Sequence, residues 1–161
     1  MYKKILVPLD GSELAECVLP HVETIVKGCQ VPNVIFIRVV EPAIMPSQAT
    51  DLGTVYTRAD AEKTQKKINA ENKADAENYL NGITARYSYG NARNQSVVIM
   101  GKPAESVADY AEKNGIDLII IATHGRSGVS RWVWGATADR ILRSACVPML
   151  MVRAPGCVPG I

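Results

Sequence analysis

The chain has 161 residues, of which 47% are hydrophobic and 21% charged, with 18 Lys and Arg against 16 Asp and Glu. This length is enough for one hydrophobic core that needs no disulfide or metal to stabilise it. A formal net charge of +2, with the signs interspersed, provides no extended cationic surface for nucleic acid or anionic lipid. We therefore expect one globular domain over residues 1–153, an irregular tail over residues 154–161, and neither a nucleic-acid nor a membrane partner.

The apolar segments and the cysteines exclude further classes of protein. Stretches such as Leu118–Ala122 are far shorter than the roughly 20 residues that span a bilayer, and the N-terminus has no apolar signal region before Asp10. No two of the four cysteines have the spacing of a zinc site. We expect a cytoplasmic protein without a resident metal. Cys17 and Cys146 fall in helical patterns, and we expect both to be buried as small hydrophobic residues.

Five short apolar runs, each followed by a turn signal, alternate with longer segments of helical period. Because each run is apolar at nearly every position, both faces of each strand should be covered, as in a parallel sheet between two helical layers. Right-handed crossovers between such strands produce a doubly wound α/β fold. The predicted strands are Ile5–Leu9, Val34–Val40, Val97–Met100, Leu118–Ala122 and Pro148–Val152.

The first predicted helix begins at Ser12, whose hydroxyl can cap the free backbone amides of the first turn. Apolar residues at helical spacing from Leu14 to Cys29 predict one continuous buried stripe. Pro20 lies on the opposite face of this helix, where it should cause a kink without entering the core. The segment ends before Pro32.

The second crossover is the longest. Residues 41–56 carry Pro42, Pro46 and Gly53 among small and polar residues, and a helical stretch from about Arg58 to Tyr87 follows. The first half of this helix is almost wholly polar, and apolar anchors come only in its second half. We expect the first half to project into solvent or to act as a flap.

Two shorter helices complete the pattern. Pro103 is at a natural first-turn position, and Asn114 with Gly115 predicts the end of that helix. The last helix is predicted from about Arg131 to Ser144. Its inward-facing residues are predicted to be Trp134, Ala138, Ile141, Leu142 and Ala145.

The loops after the first and fourth strands are the predicted site, because doubly wound sheets bind ligands outside the carboxyl ends of their strands. The loop after strand four contains Gly125 and Gly128, which let the backbone approach an anion closely, and its amides can donate hydrogen bonds to phosphate. The absence of a P-loop and of a GxGxxG motif disfavours a GTPase, a kinase or an ordinary dinucleotide enzyme. A triad of Asp10, His124 and Ser127 is also disfavoured, since no nucleophile elbow surrounds the serine.

These segments resemble the universal stress protein family over nearly the whole chain. The resemblance is carried by Lys4–Ser12, Arg38–Glu41, Gly101–Ala104 and Ile121–Pro148. The nucleotide-binding branch of that family is marked by the pattern G-x2-G-x9-G-[S/T]. On this chain the pattern falls on Ala122, Gly125, Gly135 and Ala136.

Two of these four positions depart from the family pattern. Ala122 adds a methyl group where the backbone would touch ribose or phosphate, although its amide can still donate. Ala136 lacks the hydroxyl that would contact phosphate, a loss of about 0.5–1.5 kcal/mol for a typical hydrogen bond. The neighbouring Thr137 offers a hydroxyl that could partly replace it.

The resemblance implies an ATP-binding regulatory protein with at most slow hydrolysis and no assigned catalytic residue. AMP and ADP are alternative ligands, and the sequence leaves open whether Mg²⁺ accompanies the nucleotide. Asp10 would lie beside the ribose and adenine, and the backbone of Val39 would meet the adenine. The candidate binding residues are Pro8, Leu9, Asp10, Val39, Ile121, Ala122, Thr123, His124, Gly125, Arg126, Ser127, Gly128, Gly135, Ala136 and Thr137.

The resemblance also implies the strand order 3-2-1-4-5, which leaves the last strand at an edge of the sheet. The segment Pro148–Val152 is too apolar for an open edge, so we expect a homodimer in which this strand pairs with its copy.

Two other functions stay open. One is a non-nucleotide-binding dimeric module for an unidentified protein partner, and the other is a hydrolase or nucleotidyl transferase that depends on Asp10 or His124.

Overall fold

The computed structural model describes residues 2–44, 58–123 and 136–153 of the chain. In this part of the chain, strands alternate with helical segments. The strands are β1 (Lys4–Pro8), β2 (Asn33–Val40), β3 (Arg93–Met100), β4 (Leu118–Ala122) and β5 (Met149–Val152). The helices are α1 (Glu13–Glu16), α2 (Leu19–Cys29), α3 (Arg58–Arg86), α4 (Pro103–Lys113) and α5 (Ala136–Ser144).

The strands form one parallel sheet in the order β3-β2-β1-β4-β5. This arrangement confirms the doubly wound α/β fold and the expected strand order. The prediction for β3 was too short, because the strand begins at Arg93 and not at Val97. Its polar first half pairs with β2 from Asn33 onward, and an edge strand tolerates polar residues that the centre of a sheet would not.

Alternate residues of the strands pack into two cores, one on each face of the sheet. Ile5 and Val7 face the core covered by α1, α2 and α3, which we call the first face. Leu6 faces the core covered by α4 and α5, which we call the second face. Burying one such side chain stabilises the fold by about 1.5–3 kcal/mol, so the apolar runs hold helices on both sides of the sheet.

The first helical segment is two helices, which corrects the prediction of one kinked helix. Its Ser12 cap is confirmed, since the Ser12 hydroxyl accepts a hydrogen bond from the Ala15 amide. The chain then turns at Cys17, and α2 starts anew with Pro20 in its first turn. Proline lacks the N–H that would continue the helix, but it fits the start of a new one. Cys17 is therefore half-buried in a turn instead of buried in a helix.

The two halves of α3 have different environments, as the sequence predicts. Ala76, Leu80 and Ile83 in the second half are fully buried in the structure, whereas most side chains of the first half are exposed. The first half nevertheless contacts the segment that follows β2. The backbone N–H of Ala43 donates to Asn69 Oδ1 at 2.8 Å, and Gln65 Nε2 donates to the Ala43 carbonyl at 2.5 Å.

The end of the chain shows both confirmed and wrong predictions. Gly115 has a φ of +60° after α4, as its predicted role as a helix stop requires. In α5, Ala138 and Ile141 are buried, but Leu142 is 47% exposed, because the next helical position lies about 100° around the axis. Cys146 is exposed in the loop after α5, so its predicted burial is also wrong.

Several predicted features lie outside the described residues. They are the start of the last helix at Arg131, its inward-facing Trp134, and the tail over residues 154–161. In the three described ranges, no helix is both long enough and apolar enough to cross a bilayer. The same ranges contain no group of three or more His, Cys, Asp or Glu side chains that could hold a metal ion.

Candidate functional site

A cavity of about 630 Å³ lies at the carboxyl ends of β1, β2 and β4. This volume is within the range of about 300–1,000 Å³ that is usual for small-molecule sites. Residues of α3 and the first turns of α4 and α5 complete its walls. The cavity is therefore where the doubly wound topology predicts a ligand site.

One side of the cavity is apolar and belongs to the core of the second face. Ile37, Ile121 and Ile141 are at most 6% exposed, and Val107 and Val39 pack in the same cluster. All five also line the cavity. These packed side chains form a preformed apolar wall against which a flat, uncharged group can bind.

The other side of the cavity is polar and lies toward the first face. Its lining side chains are Asp10 after β1, Arg38 and Glu41 at the end of β2, and Asn72 and Asp75 on α3. Arg38 lies between Ile37 and Val39 in β2, so strand alternation directs its side chain to the face opposite theirs. We call these five residues the polar side.

The Asp10 carboxylate is oriented by the turn that begins α1. Its Oδ1 atom accepts hydrogen bonds from the Ser12 N–H at 2.9 Å and from the Ser12 hydroxyl at 2.7 Å. Ser12 in turn caps α1 through the Ala15 amide at 3.2 Å. The same short turn thus starts the helix and presents a carboxylate at the edge of the cavity.

Arg38 connects the polar side to α3 and to the turn after β1. Its guanidinium lies 5.2 Å from the centre of the Tyr79 ring. Gly11 has a φ of +88°, and a Cβ atom there would lie 3.0 Å from the Arg38 guanidinium carbon. Glycine is therefore required at this position both by its backbone conformation and by the close approach of Arg38.

The contacts of Tyr79 extend this connection to α1. Its hydroxyl donates to Glu16 Oε1 at 3.1 Å, and Arg86 pairs with Glu16 Oε2 at 3.2 Å. Burial, followed by the charge and hydrogen bond of Glu16, raises the pKa of Tyr79 well above its ordinary value. The phenol consequently stays protonated and keeps donating to Glu16, which joins α3 to the helix beside Asp10.

A third part of the cavity lining consists of small side chains at the end of β4 and in α5. Ala122 and Thr123 at the end of β4 are buried, and the Thr123 N–H donates to the Val152 carbonyl at 2.8 Å. Ala136 and Thr137 are the first residues of α5 that the structure describes, and both are exposed. A helix start offers backbone N–H groups and a positive dipole end, both of which favour an anion.

Every predicted binding residue that the structure describes lines this cavity. These residues are Pro8, Leu9, Asp10, Val39, Ile121, Ala122, Thr123, Ala136 and Thr137. The remaining candidates lie outside the described residues, and they are His124, Gly125, Arg126, Ser127, Gly128 and Gly135.

The contribution of α3 and α4 to the cavity is not predicted by the sequence. Asn72 and Asp75 lie in a long polar helix where no motif distinguishes them from solvated residues. Pro103 is predicted only as a helix start, yet it lines the cavity together with Val107 of the same helix. Arg38 carried a usable signal, because a charge interrupts the apolar run of β2 just before the strand ends.

Comparisons with known proteins agree with this architecture. The sequence profile described as the universal stress protein family matches residues 1–153. Universal stress protein MJ0577 of Methanocaldococcus jannaschii is 26% identical over 156 residues, which cover 95% of this chain and 96% of that protein. Universal stress protein YxiE of Bacillus subtilis is 27% identical over 163 residues, covering 95% of this chain and all of that protein.

Solved structures show the same fold. The structure of MJ0577 matches with a TM-score of 0.79 and 25% identity over 97% of this chain and 99% of that one. A universal stress protein in complex with cAMP matches with a TM-score of 0.65 and 15% identity, covering 95% and 98% of the two chains. A family protein from Arabidopsis thaliana with AMP bound matches with a TM-score of 0.62 and 12% identity, covering 96% and 93%. With its sequence profile and its fold in agreement, this chain belongs to the universal stress protein family.

Proposed function

We propose that this protein is a cytoplasmic regulator that binds an adenine nucleotide, foremost ATP, in the cavity at the carboxyl ends of β1, β2 and β4. It does so as one domain over residues 1–153 and hydrolyses the nucleotide slowly at most. The observation that carries the proposal is the combination of chemistries in this one cavity. An apolar wall, an oriented carboxylate and the described beginning of α5 all line it, and they match the base, the ribose and the phosphates of a nucleotide.

Each part of the nucleotide has a matching wall. The base packs between the apolar side chains of the second face, with Val39 at the end of β2. The ribose hydroxyls donate to the oriented carboxylate of Asp10. The phosphates accept from the first amides and the Thr137 hydroxyl of α5, where the helix dipole favours negative charge.

Two observations support adenine nucleotides as the ligand class. Structural relatives of this chain have been solved with cAMP and with AMP. In this chain, Ala122 and Ala136 leave the cavity open and remove no backbone donor. The loop residues His124–Gly128, together with Gly135, are proposed to complete the phosphate contacts on the basis of the family pattern.

The proposal is tested by titrating the purified, nucleotide-free protein with ATP, ADP, AMP and GTP in a calorimeter, with and without Mg²⁺. We expect adenine nucleotides to bind more tightly than GTP. Asp10→Asn keeps an acceptor for Ser12 but removes the charge that the ribose hydroxyls contact. Because hydrogen bonds to charged groups contribute about 1.5–3 kcal/mol, we expect this variant to bind roughly 10- to 100-fold more weakly.

The matched control is Asp109→Asn, which removes an exposed carboxylate on α4 that pairs with Lys113 at 3.5 Å. It lies outside the cavity lining, so its nucleotide affinity should equal that of the unchanged protein. Absence of binding at millimolar nucleotide in the unchanged protein would contradict the proposal. That result would favour the non-nucleotide branch of the family, in which the protein binds a protein partner.

We also propose that the protein is a homodimer through β5. Among the described strands, β5 pairs only with β4 and forms an edge of the sheet. Its residues Met149, Leu150 and Met151 are half-buried although one strand edge is uncovered. Pairing with a second copy would satisfy the backbone groups of that edge and cover these side chains.

A further inference from the structure

We propose that the polar side of the cavity disfavours nucleotides that carry an additional phosphate group on the 2′- or 3′-oxygen of the ribose, and that Asp75 of α3 is a specificity-determining residue in this selection. The inference rests on the proposed function, because it concerns the ligand of the same cavity. It adds a criterion of choice among adenine nucleotides, and it assigns that choice to a helix that the family motif does not include.

The charges around the cavity are unevenly distributed. Among the described lining residues, three carboxylates occur on the polar side, from Asp10, Glu41 and Asp75, together with one cation, Arg38. The described start of α5 contributes the uncharged Ala136 and Thr137. The polar side is therefore net negative, whereas the helix start favours anions.

This distribution favours one direction in which a nucleotide can bind. The 5′-phosphates are repelled from the polar side and attracted to α5, and the base packs against the apolar wall of the second face. The ribose then lies between them, with its hydroxyl edge beside Asp10 and toward α3. The carboxylates of the polar side thus face the 2′ and 3′ positions of the sugar.

Hydroxyls and phosphates differ in what they offer to a carboxylate. Each ribose hydroxyl donates one hydrogen bond, whereas a phosphate at the same carbon has negative charge and acceptor oxygens. Nucleotide-binding folds use this difference, with a carboxylate for a free 2′-hydroxyl and an arginine for a 2′-phosphate. Here the carboxylates outnumber the arginine.

Arg38 is also constrained by its own contacts. Its guanidinium is packed over the Tyr79 ring at 5.2 Å and against the backbone of Gly11. Turning toward a phosphate would cost the cation–π contact with the ring. We therefore assign Arg38 to holding the turn beside Asp10, and we assign the choice of ligand to the carboxylates.

Asp75 is held in place by its neighbours on α3. Ala76 is fully buried and Leu80 anchors the helix about one turn later, so moving α3 away from the sheet at this point would expose apolar surface. Asn72 precedes Asp75 by three residues and therefore lies on the same side of the helix, where both line the cavity. Asp75 itself is exposed, so replacing it leaves the core intact.

The test compares the affinities of AMP, adenosine 2′,5′-bisphosphate and adenosine 3′,5′-bisphosphate for the full chain by competition titration at low and at physiological salt. We expect the unchanged protein to prefer AMP, and Asp75→Asn to reduce this preference about 3- to 10-fold at low salt, since screening weakens charge effects at exposed groups. The affinity for AMP itself should change less than the preference.

The control is Glu77→Gln, which removes an exposed carboxylate of the same helix outside the cavity lining. Glu77 is two positions from Asp75 and therefore lies on the other side of the helix. Its preference for AMP should equal that of the unchanged protein. Equal preference in Asp75→Asn and the unchanged protein would overturn the inference. Tighter binding of a bisphosphate than of AMP would overturn it too. If no adenine nucleotide binds, the proposed function fails with it, whereas AMP binding without discrimination overturns only this inference.

Discussion

At the scale of single residues, Asp117 shows how a side chain outside the cavity secures the sheet that carries it. Its carboxylate precedes β4 and accepts hydrogen bonds from the backbone amides of Lys3 at 2.7 Å and Lys4 at 2.8 Å. These two bonds, with that from Lys3 the larger cause, lower the pKa of Asp117 below its ordinary value. The ionised carboxylate therefore ties the start of β1 to the start of β4.

We expect Asp117→Asn to lower the free energy of unfolding by about 1 kcal/mol at neutral pH, because it weakens two hydrogen bonds to a charged acceptor. A lowered pKa in the folded state means that the stabilisation is full above the ordinary carboxyl pKa and is lost as the pH falls through the lowered one. Urea unfolding at pH 7 and pH 3 measures this difference. If the free energy of unfolding of Asp117→Asn were below that of the unchanged protein by the same amount at both pH values, the assigned role of the charge would be contradicted.

The residues of the cavity differ in how far the sequence predicts them. Asp10 and Ser12 form a local turn, so their arrangement follows from neighbouring residues and could be predicted. Asp75 acquires its place only because apolar residues of α3 such as Leu80 dock on the sheet, and the sequence does not show which polar residues this docking brings to the cavity. Nothing within the polar stretch around Asp75 carries that information, since exposed and cavity-lining residues have the same composition there.

At the scale of elements, α3 and the segment after β2 depend on each other. Two side chains one helical turn apart, Gln65 and Asn69, bond to the carbonyl and to the amide of Ala43. This arrangement fixes the chain just beyond Glu41, which lines the cavity. The first half of α3 was expected to project into solvent or to act as a flap. Its contacts with Ala43 show that it also positions the part of the cavity rim that contains Glu41.

We expect Asn69→Ala to increase the hydrogen-exchange rate of the Ala43 amide, because the variant removes the acceptor of that N–H. Gln65→Ala is the matched control, since Gln65 bonds to the Ala43 carbonyl and leaves the amide bonded to Asn69. Exchange measured by NMR resolves this single amide. If both variants change the exchange of Ala43 equally, the two contacts do not act separately and this account of the rim is wrong.

At the scale of the whole molecule, the fold could be predicted more completely than its details. The apolar runs predict a parallel sheet, and the bounds of β1, β2, β4 and β5 agree with the predicted bounds to within one residue. The strand order came only from the family resemblance, because periodicity does not say which strands are neighbours. The break before α2 and the exposure of Leu142 were missed, since both depend on packing around a particular turn.

The proposed dimer can be tested at the open edge of β5. Pro148 and Val152 direct their carbonyls to β4, so strand alternation directs the backbone groups of Met149 and Met151 to the open edge. We expect Met151→Pro to yield a monomer by sedimentation velocity, because it removes an edge N–H without removing a bond to β4. Met151→Thr keeps that N–H and should remain dimeric. A monomeric unchanged protein would contradict the proposal.

The central claim, that a nucleotide occupies the cavity at the carboxyl ends of the strands, is tested most directly by NMR. Titration of the isotope-labelled protein with ATP should shift the backbone amides of Asp10, Val39 and Thr137, which line the cavity. The amides of Asn33 and Asp117, at the other end of the sheet, should stay unchanged. Shifts that are absent, or that concentrate at that other end, would contradict the account.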